Sequence, residues 1–360
     1  MSSRVVEVVE QAIAAGAYMG AAVGVTVGGQ VVLEHYAGEA APGTPASAES
    51  IWPLASISKC FTAAMAMRLI DRGDLGLETR VADVIPRFRG DGREEIRLRH
   101  LLGHTSGLRY ESPMLEELLL AKTPLAAIVE DAIAAPPLFP AGTRFTYSDD
   151  AYLLAGQLVQ VLAGDPFSEL VQSLVIDDMG LGSTWVRPPL AVHDRIAQVR
   201  GVLAEGTDGA MYNSAYGLAL GHPAFGVVSS LRDMLRFAAH FAPGGPRIHR
   251  EASIALLSTP QADLHGCHPL WPELGDDVAI GWGLAFEVQI DGAPATLSRN
   301  ASIGAFGHPG ASGCRIIVDP ATATIVVVLT NSHLHGGLAA WRTRLDAVAD
   351  AAFEDARAIG

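Results

Sequence analysis

The sequence predicts an α+β fold in which a sheet is assembled from both ends of the chain around an inserted, mainly helical segment. Three observations lead there. β-branched strand signals gather near the N-terminus and again in the last quarter, while helical or loop patterns fill the stretch between. A chain of 360 residues, 49% hydrophobic and 18% charged, can also bury a core for two closely packed lobes. The expected division is a sheet domain from 1–73 and 221–360, a mainly helical domain from 74–220, and a site at their interface.

Taken in order, Val5 to Ala15 reads as a helix, and Ala21 to Gly38 as two strands around a Gly28-Gly29 turn. From Ser56 to about Arg72, the positions of Phe61, Met65, Met67, Leu69 and Ile70 suit a helix that stops at Gly73. In the middle, Leu115–Leu120, Pro124–Ala134 and Tyr152–Ala163 are helical, separated by turns bearing Pro and Gly. Ser229–Phe241 reads as a further helix. Strands are expected over Leu284–Ile290, Gly313–Val318 and Thr324–Leu329, and Ala339–Ala358 closes with a helix. No internal repeat interrupts this order.

Charge narrows the function classes. A net charge of -14 without a Lys/Arg run argues against nucleic acid or an anionic membrane as partner, since both require positive potential. A small substrate that is not polyanionic fits better. The opening residues Met1 to Glu10 interleave charged with apolar side chains, unlike a signal peptide or membrane span, so a cytoplasmic location is expected. Cys60, Cys267 and Cys314 are an odd count without zinc-type spacing, which fits reduced thiols.

The chemistry starts at Ser56-Ile57-Ser58-Lys59. Residues three apart share a helix face, so the Lys59 amine falls beside the Ser56 hydroxyl. A serine needs a proton acceptor to attack a carbonyl, and a lysine serves when burial or nearby positive potential lowers its pKa. The helix N-terminus supplies such potential, and its N–H groups can stabilise an oxyanion. Alone the tetrapeptide is weak, because a chain of this length holds about one by chance. By itself it is better explained as an N-cap serine and a solvated lysine.

Further blocks change that balance. Leu101-Leu102-Gly103-His104-Thr105-Ser106-Gly107-Leu108 follows, then Pro140-Ala141-Gly142-Thr143-Arg144-Phe145-Thr146-Tyr147-Ser148-Asp149. Later come Gly226-Val227-Val228-Ser229-Ser230 with Arg232-Asp233, Gly281-Trp282-Gly283, Phe306-Gly307-His308-Pro309-Gly310 and Val328-Leu329-Thr330-Asn331. In these blocks, and in their order, the chain resembles the serine β-lactamase and penicillin-binding-protein superfamily. The resembling branch contains class C β-lactamases, D-amidases and β-lactamase-like carboxylesterases.

The resemblance implies a β-lactamase-like fold with an antiparallel sheet flanked by helices. It implies Ser56 as the acylated nucleophile, Lys59 as its proton acceptor or relay, and Tyr147 as a second proton carrier. The N–H groups of Ser56 and Ala311 would form the oxyanion hole. His308 and Gly310 lie on the strand opposite the nucleophile, where His308 would orient substrate, tune Tyr147 or hold the strand edge. Two positions depart from the family pattern. Asp149 replaces an asparagine, and a carboxylate near Lys59 would favour the ammonium form: either Asp149 points elsewhere, or Lys59 stays charged and Tyr147 is the working base. His308 replaces a lysine, removing the permanent cation that binds a substrate carboxylate, so esters or amides without that group become the expected substrates.

The expectation is therefore a cofactor-free serine hydrolase acting on small esters; weak β-lactam hydrolysis as a side activity is compatible with it. An amidase or D-aminopeptidase, or an acyltransferase, would use the same acyl-enzyme; a binding or sensor protein that never turns over is the rival class. A homo-oligomer is compatible with the sequence. His104 to Gly107 lacks a G-x-S-x-G elbow around Ser106 and is read, with the family, as a structural turn. His333-Leu334-His335 looks like a metal pair but lacks further ligands, so it is read as a solvent-exposed loop, with no metal expected. Cys60 is assigned to the core.

Overall fold

The computed structural model describes residues 3–201, 210–261, 264–267, 272–293, 296–334 and 336–359. Helix α1, Arg4–Ala14, starts at Ser3, whose hydroxyl accepts from the Val6 N–H at 3.4 Å. Strands β1, Gly20–Val27, and β2, Gln30–Ala41, meet at Gly28 and Gly29, whose φ of 57° and 78° a β-carbon would disfavour. Helix α2, Ser58–Arg72, ends at Gly73 in the left-handed conformation. It is buried along most of its length, which is why a simple apolar stripe does not describe it.

The main sheet has seven strands in the order β4-β5-β6-β7-β1-β2-β3, all pairings antiparallel. Strand β3 is Thr44–Pro45, β4 Glu287–Val288, β5 Phe306–Gly310, β6 Cys314–Asp319 and β7 Thr324–Thr330. Its N-terminal and C-terminal parts join where β1 meets β7, with Val23 opposite Val328. The strand period of two sorts the side chains. Ala22, Ile316, Val318, Ile325, Val327 and Leu329 face the larger core, on the side of α2 and of α4, Leu231–Ala239. Ala21, Val23, Val25, Ile317, Val326 and Val328 face a second core against α1 and α5, Leu338–Ile359. Helices thus cover both faces of the sheet, and the β-lactamase-like α+β class holds.

Two expected elements are shorter than their patterns. The strand read over Leu284–Ile290 is only Glu287–Val288. Before it, the Gly283 N–H bonds the Phe286 carbonyl at 2.8 Å, and the Leu284 N–H bonds the Leu256 carbonyl at 2.9 Å. A β-carbon on Gly283 would lie 2.1 Å from the Leu257 oxygen, so this glycine lets the chain press against the helix Glu251–Ser258 instead of extending. Similarly α4 begins at Leu231 because the Ser230 hydroxyl caps it, accepting from the Asp233 N–H at 3.2 Å.

Two three-stranded sheets are too short to leave a sequence period. In one, Val228–Ser229 lies between Trp52–Pro53 and Thr184–Trp185. In the other, Phe145–Thr146 pairs in parallel with Gly266–Cys267, tying the segment before Tyr147 to the C-terminal half. Among the described residues no helix is long and apolar enough to cross a membrane.

Candidate active site

Ser56 lies in a single 3-10 turn, Ala55–Ile57, immediately before α2. The turn is strained: Ala55, a residue with a β-carbon, sits at φ 48°, buried in a cluster with Val199 and Tyr212. One helical turn on, the Lys59 Nζ stands 3.1 Å from the Ser56 Oγ, as the spacing of three predicts. Lys59 is fully buried. Its other neighbours are the Asp149 Oδ1 at 2.7 Å and the Ala224 carbonyl at 3.2 Å.

Donor counting gives this geometry meaning. The Ala224 carbonyl can only accept, so it takes one N–H bond, Asp149 makes an ion-pair contact, and a further position of the nitrogen faces Ser56. As an ammonium, Lys59 donates there; as an amine, it turns its lone pair to the hydroxyl. Burial pushes the Lys59 pKa down, with Asp149 pulling the other way, and burial pushes Asp149 up, opposed by Lys59. The pair acts as a unit in which both partners lean towards neutrality. Asp149 therefore points at Lys59, which removes the first of the two alternatives left by its sequence context, that it points elsewhere.

Asp149 is the first residue of α3, Asp149–Ala163, capped by Ser148, whose hydroxyl accepts from the Ala151 N–H at 2.9 Å. Tyr147 precedes that cap. Its ring lies 4.8 Å from the Lys59 Nζ, and its hydroxyl 3.4 Å from the His308 Nε2. The His308 Nδ1–H donates to the Pro309 carbonyl at 2.6 Å, so the Nε2 lone pair faces the phenol. Burial, then Lys59, pushes the His308 pKa down to about 3, and burial followed by Asp149 pushes the Tyr147 phenol up. Both rings are held neutral. That disfavours a free Tyr147 phenolate.

These side chains open onto a cavity of about 400 Å³ whose walls include Ser56, Tyr147 and Ala311. Tyr110, Trp282, Pro309, Leu334, Leu338 and Trp341 make much of the remaining wall apolar. Among the described residues lining it there is no Lys or Arg, whereas Glu287 contributes a carboxylate. Glu111, half-buried near Asp149, adds acidity, its pKa pushed up to about 7 by burial and by that neighbour.

Gly310 fits the strand beside Ser56 for a steric reason. A β-carbon there would lie 2.2 Å from the Leu54 oxygen, in the turn that carries Ser56. Cys60 is fully buried, and burial raises its thiol pKa, in keeping with a core residue. His333 and Leu334 lie in a loop after β7, as expected, but half-buried and not solvent-exposed: Leu334 lines the cavity and the His333 Nδ1 lies 3.0 Å from the Gly201 carbonyl, while His335 falls outside the described residues. Among the described residues no cluster of His, Cys, Asp and Glu is arranged to hold a metal ion.

Sequence reasoning missed Tyr110, Cys267 and Glu287 as wall residues. Only Glu287 carried a usable signal, a lone carboxylate inside the apolar run Leu284–Ile290. It sits on β4 opposite Gly307, next to His308.

Comparison with known proteins places this arrangement. The sequence model of the family described as Beta-lactamase matches residues 5–350. Penicillin-binding protein 4 of Amycolatopsis lactamdurans is 29% identical over 309 residues, covering 82% of this chain and 75% of that protein. Esterase EstB of Burkholderia gladioli is 28% identical over 198 residues, half of each chain. The solved structure of "EstCE1, a hydrolase with promiscuous acyltransferase activity" superposes with a TM-score of 0.78 at 25% identity, covering 96% of this chain and 97% of that one.

Proposed function

We propose, since this chain belongs to the beta-lactamase family, that it is a serine hydrolase cleaving small uncharged esters through an acyl-enzyme on Ser56. The observation that carries this is the Lys59 nitrogen, 3.1 Å from the Ser56 hydroxyl and steered towards it by Asp149 and Ala224. Lys59, as the amine, takes the Ser56 proton while the Oγ bonds to the ester carbonyl carbon. The carbonyl oxygen becomes an oxyanion held by the Ser56 and Ala311 N–H groups. As that intermediate collapses, the bond to the leaving alcohol breaks and the proton returns to the alkoxide through Tyr147. Water then attacks the acyl-enzyme, giving its proton to Lys59, and Ser56 is reprotonated as the acid leaves. We read the cavity as the cleft between the sheet unit, 1–73 and 221–360, and the helical unit, 74–220.

The uncharged substrate follows from electrostatics. A neutral His308, Glu287 in the wall and no cation among the described lining residues offer nothing to a carboxylate. The test compares p-nitrophenyl butyrate with p-nitrophenyl hemisuccinate. The butyrate should have the higher kcat/KM by about tenfold or more, the scale of one lost charge partner. Equal rates, or faster hemisuccinate turnover, would overturn the uncharged assignment, and amide cleavage without ester cleavage would overturn the esterase reading.

The apolar wall favours a second reading, acyl transfer to an alcohol, because a dry cavity disfavours water as acceptor. It shares the acyl-enzyme. Added short alcohols would then divert the acyl group into a new ester at the expense of the free acid.

A further inference from the structure

We infer that His104, outside the acyl-transfer machinery itself, is a positioning residue that clamps Tyr147 in line with Ser56 and Lys59. This rests on the reading of Tyr147 as a proton carrier. The residues on both sides of Tyr147 donate to this one histidine: the Thr146 N–H to its backbone carbonyl at 2.8 Å, and the Ser148 N–H to its Nδ1 at 3.0 Å. Its ring then stacks on the Tyr147 ring, centroids 4.4 Å apart and planes 28° from parallel. The Trp282 ring stands edge-on at 5.0 Å and 75°, so the stack is walled in from a second direction. His104 is wholly buried.

The chemistry of the ring explains why a histidine stands here. Nδ1 accepts an amide proton, so it carries none and Nε2 holds the ring's single proton. That Nε2–H has no hydrogen-bond partner among the described residues. Leaving a buried donor unpaired is unfavourable, and His104 also occupies the left-handed region at φ 56°, where side chains are uncommon. Two local penalties at one site imply a compensating demand. Phenylalanine would keep the stack but leave the Ser148 N–H without an acceptor, whereas asparagine would keep the acceptor and tolerate the φ but lose the stack. Histidine meets both needs while staying neutral beside Lys59.

A positioning role predicts coupling to Tyr147 and to nothing else in the reaction. His104→Ala, Tyr147→Phe and the double variant would be assayed with p-nitrophenyl butyrate for kcat, KM and thermal midpoint. His104→Ala should lower kcat about a hundredfold, the scale of a misplaced reacting group, with KM changed by less than about threefold. His104→Asn should recover about tenfold of that loss through the restored acceptor. With Tyr147 already replaced by Phe, removing His104 should cost less than about twofold more, because the ring then has no proton carrier to position. Losses that multiply in the double variant, or an unchanged kcat in His104→Ala, would overturn the inference. If the alanine variants do not fold, His104→Asn carries the test in both backgrounds, and failure of that variant to fold would assign His104 to folding alone. Wild-type activity in Tyr147→Phe would instead refute the role given to Tyr147, an outcome read independently of His104.

Discussion

Asp149 is one of the two positions, with His308, where this chain departs from the pattern it resembles, and its carboxyl group reaches the Lys59 nitrogen at 2.7 Å. Removing that charge takes away what favours the ammonium, so Asp149→Asn should move the rising limb of kcat/KM against pH to lower pH. The sign is fixed: Asp149 raises the Lys59 pKa, so its loss lowers it. Acylation should persist within about tenfold, since the asparagine oxygen can still accept from Lys59. A limb that moves to higher pH, or abolished acylation, would show that the carboxylate is itself required. At this scale the adjacency of Ser56 and Lys59 could be read from spacing, because a three-residue offset on a helix determines it. The aim of Asp149 could not be read, because it depends on how α3 lies against α2. Nor could the wall positions of Tyr110 and Cys267, which tertiary packing alone brings to the cavity.

At the scale of elements, the site hangs on two local devices. Ser148 caps α3 directly between Tyr147 and Asp149, and its hydroxyl also donates to the Arg109 carbonyl at 2.6 Å. Ser148→Ala should lower stability by about 1–2 kcal/mol in denaturant titration, the usual cost of a lost cap. It should also lower kcat, since both flanking site residues lose their anchor; unchanged kcat would mean the cap serves folding only. Strand β5 is the second device. Gly310→Ala puts a methyl against the Leu54 carbonyl, and either the strand or the nucleophile turn must move. A shift near 1 Å costs about a hundredfold in rate, so kcat should fall by that order; wild-type activity would show that the two segments are not coupled. The long helices and the strands β1, β2, β6 and β7 were legible because their runs show period or continuous branched character. The extent of strand β4 was not, because Gly283 bends the apolar run before it and leaves only Glu287–Val288 of the expected strand.

For the molecule as a whole, the closing of one sheet by both chain ends was legible from where strand signals fall along the sequence, and the junction of β1 with β7 realises it. That junction places the turn before α2 beside β5, while the small sheet at Phe145–Thr146 brings Tyr147 in from the middle of the chain. The acidic balance of the sequence continues into the cavity through Glu287, which is why uncharged substrates are expected. The most direct measurement is intact-mass spectrometry of the protein mixed with p-nitrophenyl butyrate, beside nitrophenolate release, for wild type and Ser56→Ala. A butyryl adduct mapped to Ser56, with turnover that disappears in the variant, is the predicted result. Turnover that survives Ser56→Ala, or an adduct on any other residue, would contradict the acyl-enzyme on Ser56.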